Sequence, residues 1–150
     1  MSRHVAIFVF CMLAGLPAIA QEGAAAIVGV WETGNGKARV KIDQAGDKFK
    51  GRIVWLREPN DESGNPKLDK NNPDESLRSK RLLGYWMLQD FIFVGDNTWE
   101  DGTIYDPESG STYSCTIEMT DSNTLDVRGY IGVSLFGRTD IWKRVMLKSK

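Results

Sequence analysis

From Ala26 onward the chain repeats one kind of pattern: short runs of Val, Ile, Trp, Tyr, Phe and Thr, in which apolar and polar residues alternate, each closed off by Gly, Asn, Asp or Pro. Alternation with a period of two puts every second side chain on the same face, which marks a strand covered on one side only. The pattern predicts eight strands, at 27–32, 38–43, 48–56, 89–94, 98–105, 111–119, 124–131 and 136–145. Phe49, Ile53 and Trp55 are expected to face a core, as are Tyr113, Cys115, Ile117 and Met119, and then Leu125, Val127 and Ile131. The opposite faces carry Lys48, Lys50 and Arg52, or Thr112, Ser114, Thr116 and Glu118, and are expected to meet water.

Tight turns join most of these runs, such as Gly34-Asn35-Gly36, Ala45-Gly46-Asp47, Gly95-Asp96-Asn97 and Asp121-Ser122-Asn123. Turns that short force neighbouring strands to run antiparallel. A row of eight antiparallel strands leaves two unpaired edges unless the sheet closes on itself. The expected fold is therefore all-β, an eight-stranded antiparallel up-and-down barrel, with a β-sandwich as the alternative.

One connection breaks the rhythm. Residues 57–81, REPNDESGNPKLDKNNPDESLRSKR, are too long and too polar for a hairpin, and connections of this length in compact domains are lids, binding loops or mobile segments. The next stretch, LLGYWML at 82–88, reads equally as strand or as a turn or two of helix. Asp61-Glu62-Ser63-Gly64-Asn65 and Asp69 to Glu75 are rich in oxygen, but neither has the spacing of a calcium-binding loop. Asn, Asp and Ser before Gly or Pro cap their own backbone in turns, so no metal is assigned.

The first twenty residues belong to a different pattern. Arg3 precedes an apolar run from Val5 to Leu16, then Pro17 and the small-residue triplet Ala18-Ile19-Ala20. That is the layout of a secretory signal peptide, with cleavage expected between Ala20 and Gln21 and a single domain at 21–150. The apolar run is too short to span a bilayer for good, so no stable membrane insertion is expected. Export to the periplasm or beyond is the expected localisation.

Removal of that segment alters the chemistry available. The one histidine, His4, is lost, and so is Cys11, leaving Cys115 without an internal partner. Without an imidazole there is no Ser-His-Asp triad, no Cys-His pair and no ordinary zinc site. Arg3 goes with no acid, so 19 basic residues become 18 against 20 acidic ones, a net charge of −2 and no case for binding nucleic acid.

Three groups remain as candidates for a site. Gly29-Val30-Trp31 lies in the first strand and Arg138, Trp142 and Arg144 in the last, and a barrel brings those strands together. An arginine stacked on the tryptophan would plug one end, so Gly29, Trp31, Trp142 and Arg144 are assigned to barrel closure. In the segment 128–139, Arg128, Tyr130 and Arg138 lie on strands flanking a Gly-rich connection, where an arginine and a tyrosine at a barrel mouth would hold a polar or anionic ligand head. Arg78 in the long loop and Tyr105 beside the 106–110 turn are further ligand-binding candidates. An acid-base hydrolase would need two carboxylates from Asp101, Asp106, Glu108 and Glu118, and nothing singles out a pair, so no catalytic residue is assigned.

The G-x-W triplet with a late arginine resembles the signature of lipocalins and their calycin relatives. The blocks GVWETGNGKARVKI, GRIVWLREPND, LDKNNPDESLRSKRLLG, GTIYDPESGSTY and LDVRGYIGVSLFGRTDIWKRV together resemble the bacterial family called domain of unknown function 2147, over essentially the whole of 21–150. The resemblance implies a secreted single-domain protein with a lipocalin-like barrel, and supplies no reaction, cofactor or ligand. The expected function is a periplasmic binding protein for a small hydrophobic or amphipathic ligand, without a cofactor. The alternative is a solid-cored envelope module that docks a protein partner through an exposed Tyr85-Trp86 patch.

Overall fold

A computed structural model describes residues 23–146; the signal peptide expected at 1–20 and its expected Ala20–Gln21 cleavage point lie outside the described residues. Eight strands follow in order: β1 (Gly29–Glu32), β2 (Ala38–Ala45), β3 (Lys48–Leu56), β4 (Trp86–Gly95), β5 (Thr98–Asp106), β6 (Ser111–Asp121), β7 (Thr124–Tyr130) and β8 (Arg138–Arg144). Each pairs antiparallel with the next, and β1 also pairs with β8, Trp31 opposite Arg144 and Glu32 opposite Lys143. The sheet is a closed up-and-down barrel, which rules out the sandwich.

Half of the interior is packed solid. Trp31, Trp99, Trp142, Phe49 and Phe91 are fully buried, with Ile42, Leu88, Ile117 and Leu125 between them. Trp99 meets Phe49 edge-on at 6.3 Å and Phe93 at 5.0 Å, geometries that aromatic quadrupoles favour. Cys115 is buried in this cluster, where loss of water pushes its thiol pKa up to about 12.

The chain entering β1 caps this solid end. A helical turn at 23–25 leads into buried Ile27. The Trp31 indole donates to Ile27 O at 2.9 Å, and the Trp99 indole to Ala24 O at 3.3 Å. Arg144 lies 4.1 Å from the centre of the Trp31 ring. Its guanidinium donates to Val28 O at 3.1 Å, Ala26 O at 2.7 Å and Ser122 O at 2.8 Å. Gly29 has φ +146°, and a Cβ there would stand 2.6 Å from Arg144 Nη1, so a side chain and this arginine exclude each other. Trp142 does not join the plug: it packs in the core, and its indole donates to Asp140 Oδ2 at 2.7 Å.

Two expected core positions face outward. Between Arg39 and Val40 the β2–β3 register shifts, because β3 carries one residue more than its partner at Val54. Such a bulge reverses the faces beyond it. Trp55 is therefore 37% exposed, with the Arg39 guanidinium 4.5 Å from its ring centre. Ile131 lies past the last residue of β7, has no pleat to follow and is 76% exposed. The ambiguous 82–88 stretch resolves as the approach to β4, which begins at Trp86 rather than at 89. Phe136, expected in the last strand, instead sits in a 3-10 turn at Ser134–Phe136.

Candidate functional site

The connections at 33–37, 57–85, 107–110 and 131–137 all emerge at the end of the barrel away from the Arg144 plug. Between them lies a cavity of about 1060 Å³. Ile53, Met87, Ile104, Val127 and Trp142 form its apolar wall, Val127 and Trp142 belonging also to the buried core and Met87 and Ile104 packing against it. The solid half of the barrel is thus the floor of the cavity.

The long connection is ordered by its own hydrogen bonds. Isolated bridges join Asn60 to Pro66 and Leu68 to Arg81, and Asp74 caps a 3-10 turn at Glu75–Leu77 by accepting from Ser76 N. The loop is fastened to the barrel through Asp69, which is fully buried. Asp69 Oδ1 accepts from the Tyr105 hydroxyl at 2.6 Å, and Oδ2 accepts from Asn72 Nδ2 at 2.7 Å. The same Asn72 amide donates to the Tyr85 hydroxyl at 3.1 Å, and the Tyr85 and Tyr105 rings stand 5.3 Å apart. Burial first, and then the bond to Asp69, push the Tyr105 hydroxyl pKa well above the ordinary tyrosine value. Burial and the Asp69 charge raise that of Tyr85 as well. A second fastening lies alongside, where Asn71 Nδ2 donates to Pro107 O at 3.1 Å and Glu108 O at 3.0 Å.

Three of the five ligand-binding candidates line the cavity: Tyr105, Tyr130 and Arg138. The other two do not. Arg78 Nε donates to Asn72 O at 2.7 Å and so stitches the loop together. Arg128 lies along the outside of the Gly-rich connection, donating to Ser134 O, Leu135 O and Thr139 Oγ1. Their polar or Gly-rich setting makes both ligand candidates by sequence, and the backbone carbonyls that occupy them leave no mark on the side-chain pattern.

The charges around the mouth are unequally committed. Glu108 pairs with Lys37 at 2.7 Å and Glu58 with Lys67 at 3.2 Å. Asp61 accepts from Ser63 N and Asn65 N, and Asp140 from the Trp142 indole and Gly34 N. Asp106 caps its own turn through Glu108 N and Ser109 Oγ. Against these, Arg57 donates only to Asn35 O at 3.3 Å, and Arg138 has no side-chain hydrogen bond or ion pair among the described residues. Of the carboxylates considered for hydrolysis, Asp101 and Glu118 are exposed on their strands, and Asp106 and Glu108 hold the partners just named. The sequence pattern marks Asp69 only as part of an oxygen-rich turn and does not mark Lys37 or Arg57, which belong to a hairpin and a strand end that read as plain solvent surface.

The Tyr85-Trp86 pair is not an exposed apolar patch. Tyr85 is held by Asn72, and Trp86 lies under Lys50 Nζ at 4.2 Å and Arg52 at 5.6 Å. Exposed apolar side chains gather instead at the 131–137 connection.

Among solved structures, protein HP1028 from Helicobacter pylori, described as belonging to the lipocalin family, matches with a TM-score of 0.70 and 25% sequence identity, over 80% of this chain and 83% of that one. The octameric penicillin-binding protein homologue from Pyrococcus abyssi overlaps at a TM-score of 0.45 and 10% identity, over 83% of this chain and 20% of that one, too loose a likeness to bear on function. No curated protein matches the chain. The model of the family described as "Uncharacterized protein conserved in bacteria (DUF2147)" matches residues 29–144, from the first residue of β1 to the last of β8, and the chain belongs to that family.

Proposed function

We propose that the protein is an exported carrier that holds a small amphipathic ligand in the open half of its barrel, acyl part against Met87, Ile104 and Val127 and anionic head toward Arg138 and Tyr130. The observation that carries this reading is the cavity itself, whose volume of about 1060 Å³ is just above the roughly 300–1,000 Å³ usual for small-molecule sites. Its wall is apolar and its rim polar, the division an amphipathic molecule requires. The preference for an anion follows from the rim, where the carboxylates have partners and two guanidinium groups, Arg57 and Arg138, face none. Export rests on the layout of residues 1–20.

The test is titration of the purified protein with a dansyl-labelled fatty acid, followed by displacement with dodecanoic acid and with dodecylamine. The fatty acid is expected to displace the probe and the amine to do so poorly. Ile104→Trp, which fills the wall, is expected to abolish uptake. Arg138→Glu, at an exposed position, should weaken the fatty acid about fivefold and spare the amine. Equal uptake by the parent and Ile104→Trp would show that the probe binds elsewhere and would end the proposal.

A further inference from the structure

The mouth of the barrel carries a surface that neither its fold nor its cavity requires. In the connection between β7 and β8, Ile131, Val133, Leu135 and Phe136 are 76%, 58%, 79% and 79% exposed. Isolated exposed apolar residues are ordinary, but four of them on one short loop are not. The loop is not an unpinned one that simply failed to pack. Arg128 grips it from outside through Ser134 O at 2.7 Å and Leu135 O at 3.3 Å, and Gly137 N donates to Ser134 O at 3.1 Å. The apolar tip is therefore held outward. Ile131 and Phe136 also border the cavity, so the tip is continuous with the opening.

The charge around the mouth has one sign in the two segments that project. Between Asp126 and Asp140 there is no acidic residue, while Arg128 and Arg138 flank the tip. Across the opening, between Glu75 and Asp90, there is again no acidic residue, and Arg78, Lys80 and Arg81 precede Leu83, which is 50% exposed. This arrangement stands out in a chain whose formal net charge is −1. Apolar side chains at a tip, flanked in these two segments by arginine and lysine while the mouth's carboxylates lie on the other connections, match a bilayer surface that offers acyl chains below anionic headgroups.

We infer that the protein docks mouth-down on an anionic lipid bilayer, Leu135 and Phe136 inserting at the interface and Arg81 and Arg138 meeting the headgroups, so that the cavity loads from or discharges into the membrane directly. The purpose assigned to docking rests on the carrier reading; docking itself is measured without any cavity ligand, so the two fail separately.

The chain from Gln21 onward, which holds every described element, is co-sedimented with vesicles of phosphatidylcholine alone and of phosphatidylcholine with an equal part of phosphatidylglycerol. Residues 1–20 are left out because cleavage is expected after Ala20 and an apolar run adsorbs to vesicles whatever the barrel does. Binding to the anionic vesicles is expected, weakening with salt, with little binding to the neutral ones. The double variant Leu135→Asp with Phe136→Asp should lower partitioning by about tenfold or more, since it removes the inserting groups and adds repelling charge. Lys80→Gln with Arg81→Gln should lower it less and flatten its salt dependence. Val94→Asp, an exposed apolar position at the plugged end, serves as the control and should leave partitioning unchanged. All the substituted side chains are exposed, so thermal unfolding should barely shift. Failure of the parent to bind anionic vesicles would overturn the inference, as would equal binding by the Leu135/Phe136 variant. A parent dimer in solution that this variant dissolves, without vesicle binding by the parent, would assign the tip to a second copy of the chain instead.

Discussion

Replacing Arg144 tests how the barrel is closed. Its guanidinium binds three carbonyls belonging to two separate segments, Val28 and Ala26 before β1 and Ser122 in the β6–β7 turn, while its face covers the Trp31 ring at 4.1 Å. Burial holds its pKa below the ordinary arginine value, without making it neutral at physiological pH. Hydrogen bonds to a charged group contribute about 1.5–3 kcal/mol each and a partly exposed cation–π contact about 1 kcal/mol. The three bonds share one half-buried side chain and cannot be summed, so Arg144→Met, which keeps the apolar stem, is expected to cost about 3–4 kcal/mol. Arg144→Lys retains charge and stacking but one ammonium cannot reach all three carbonyls, and about half of that loss should remain. The assay is urea unfolding followed by tryptophan fluorescence, with hydrogen exchange at the amides of 26–28 to localise the effect. A domain whose whole stability is about 5–15 kcal/mol would register such a change clearly. If Arg144→Met stays within about 0.5 kcal/mol of the parent, the range of an unremarkable surface substitution, the plug is decoration and closure rests on strand pairing alone.

Two further outcomes follow from Tyr105 at the mouth and Cys115 in the core. Tyr105→Phe leaves one oxygen of the fully buried Asp69 without its donor, and should cost about 2–3 kcal/mol in the same urea assay; it should also loosen the 57–85 connection, read as faster proteolysis within it. The raised pKa values of Cys115 and Tyr105 predict a loss of stability in alkali. Each group keeps its proton longer when folded, so its contribution is whole below its unfolded value and declines as pH rises toward the folded one. For Cys115 that window runs from 9.0 to about 12. Cys115→Val should therefore lessen the slope of stability against pH in that window by about 1.4 kcal/mol per pH unit, and an unchanged slope would refute the assignment.

The strands were legible because a two-residue period survives in nearly all of them, and closure because eight antiparallel strands leave edges with no other remedy. What misled the pattern was local. An inserted residue at Val54 reverses the face of Trp55, and such a bulge has no compositional mark when the residue is itself β-prone. Ile131 continues the alternation of Leu125 and Val127 one step beyond the end of β7, where no pleat remains to turn it inward. At the mouth, Tyr130 and Arg138 were recoverable from the Gly-rich connection they flank. Arg78 and Arg128 were not separable from them, since a guanidinium bound to carbonyls and one facing a cavity share the same sequence surroundings. Asp69 was the harder case. A carboxylate in LDKNNP reads as a cap on its own turn, and what holds it inside is Tyr105, which reaches it from the strand β5. The available sign was the length of the connection, since a largely polar stretch of 25 residues in so small a domain must either hang loose or be tied down from inside.

The division of the barrel into a solid and an open half bears on why the cavity persists. Trp31, Trp99, Phe49 and Phe91 fill the plugged half, whereas Ala38, Val127 and Gly129 stand among the larger residues that line the open half. Gly129 is the telling position. A Cβ there would meet Ile104 Cγ2 at 3.4 Å and Tyr113 Cβ at 3.6 Å, ordinary contact distances, so no crowding demands a glycine. A larger residue would add packing that the apolar wall forgoes, because an unfilled space loses the dispersion contacts that its lining could make. Stability alone would fill this space from Val127 and Gly129 inward, as it has filled the other end. The small side chains on the wall make sense as room for a molecule that supplies those contacts itself, in which case occupancy should stabilise the fold in proportion to the ligand's concentration over its Kd.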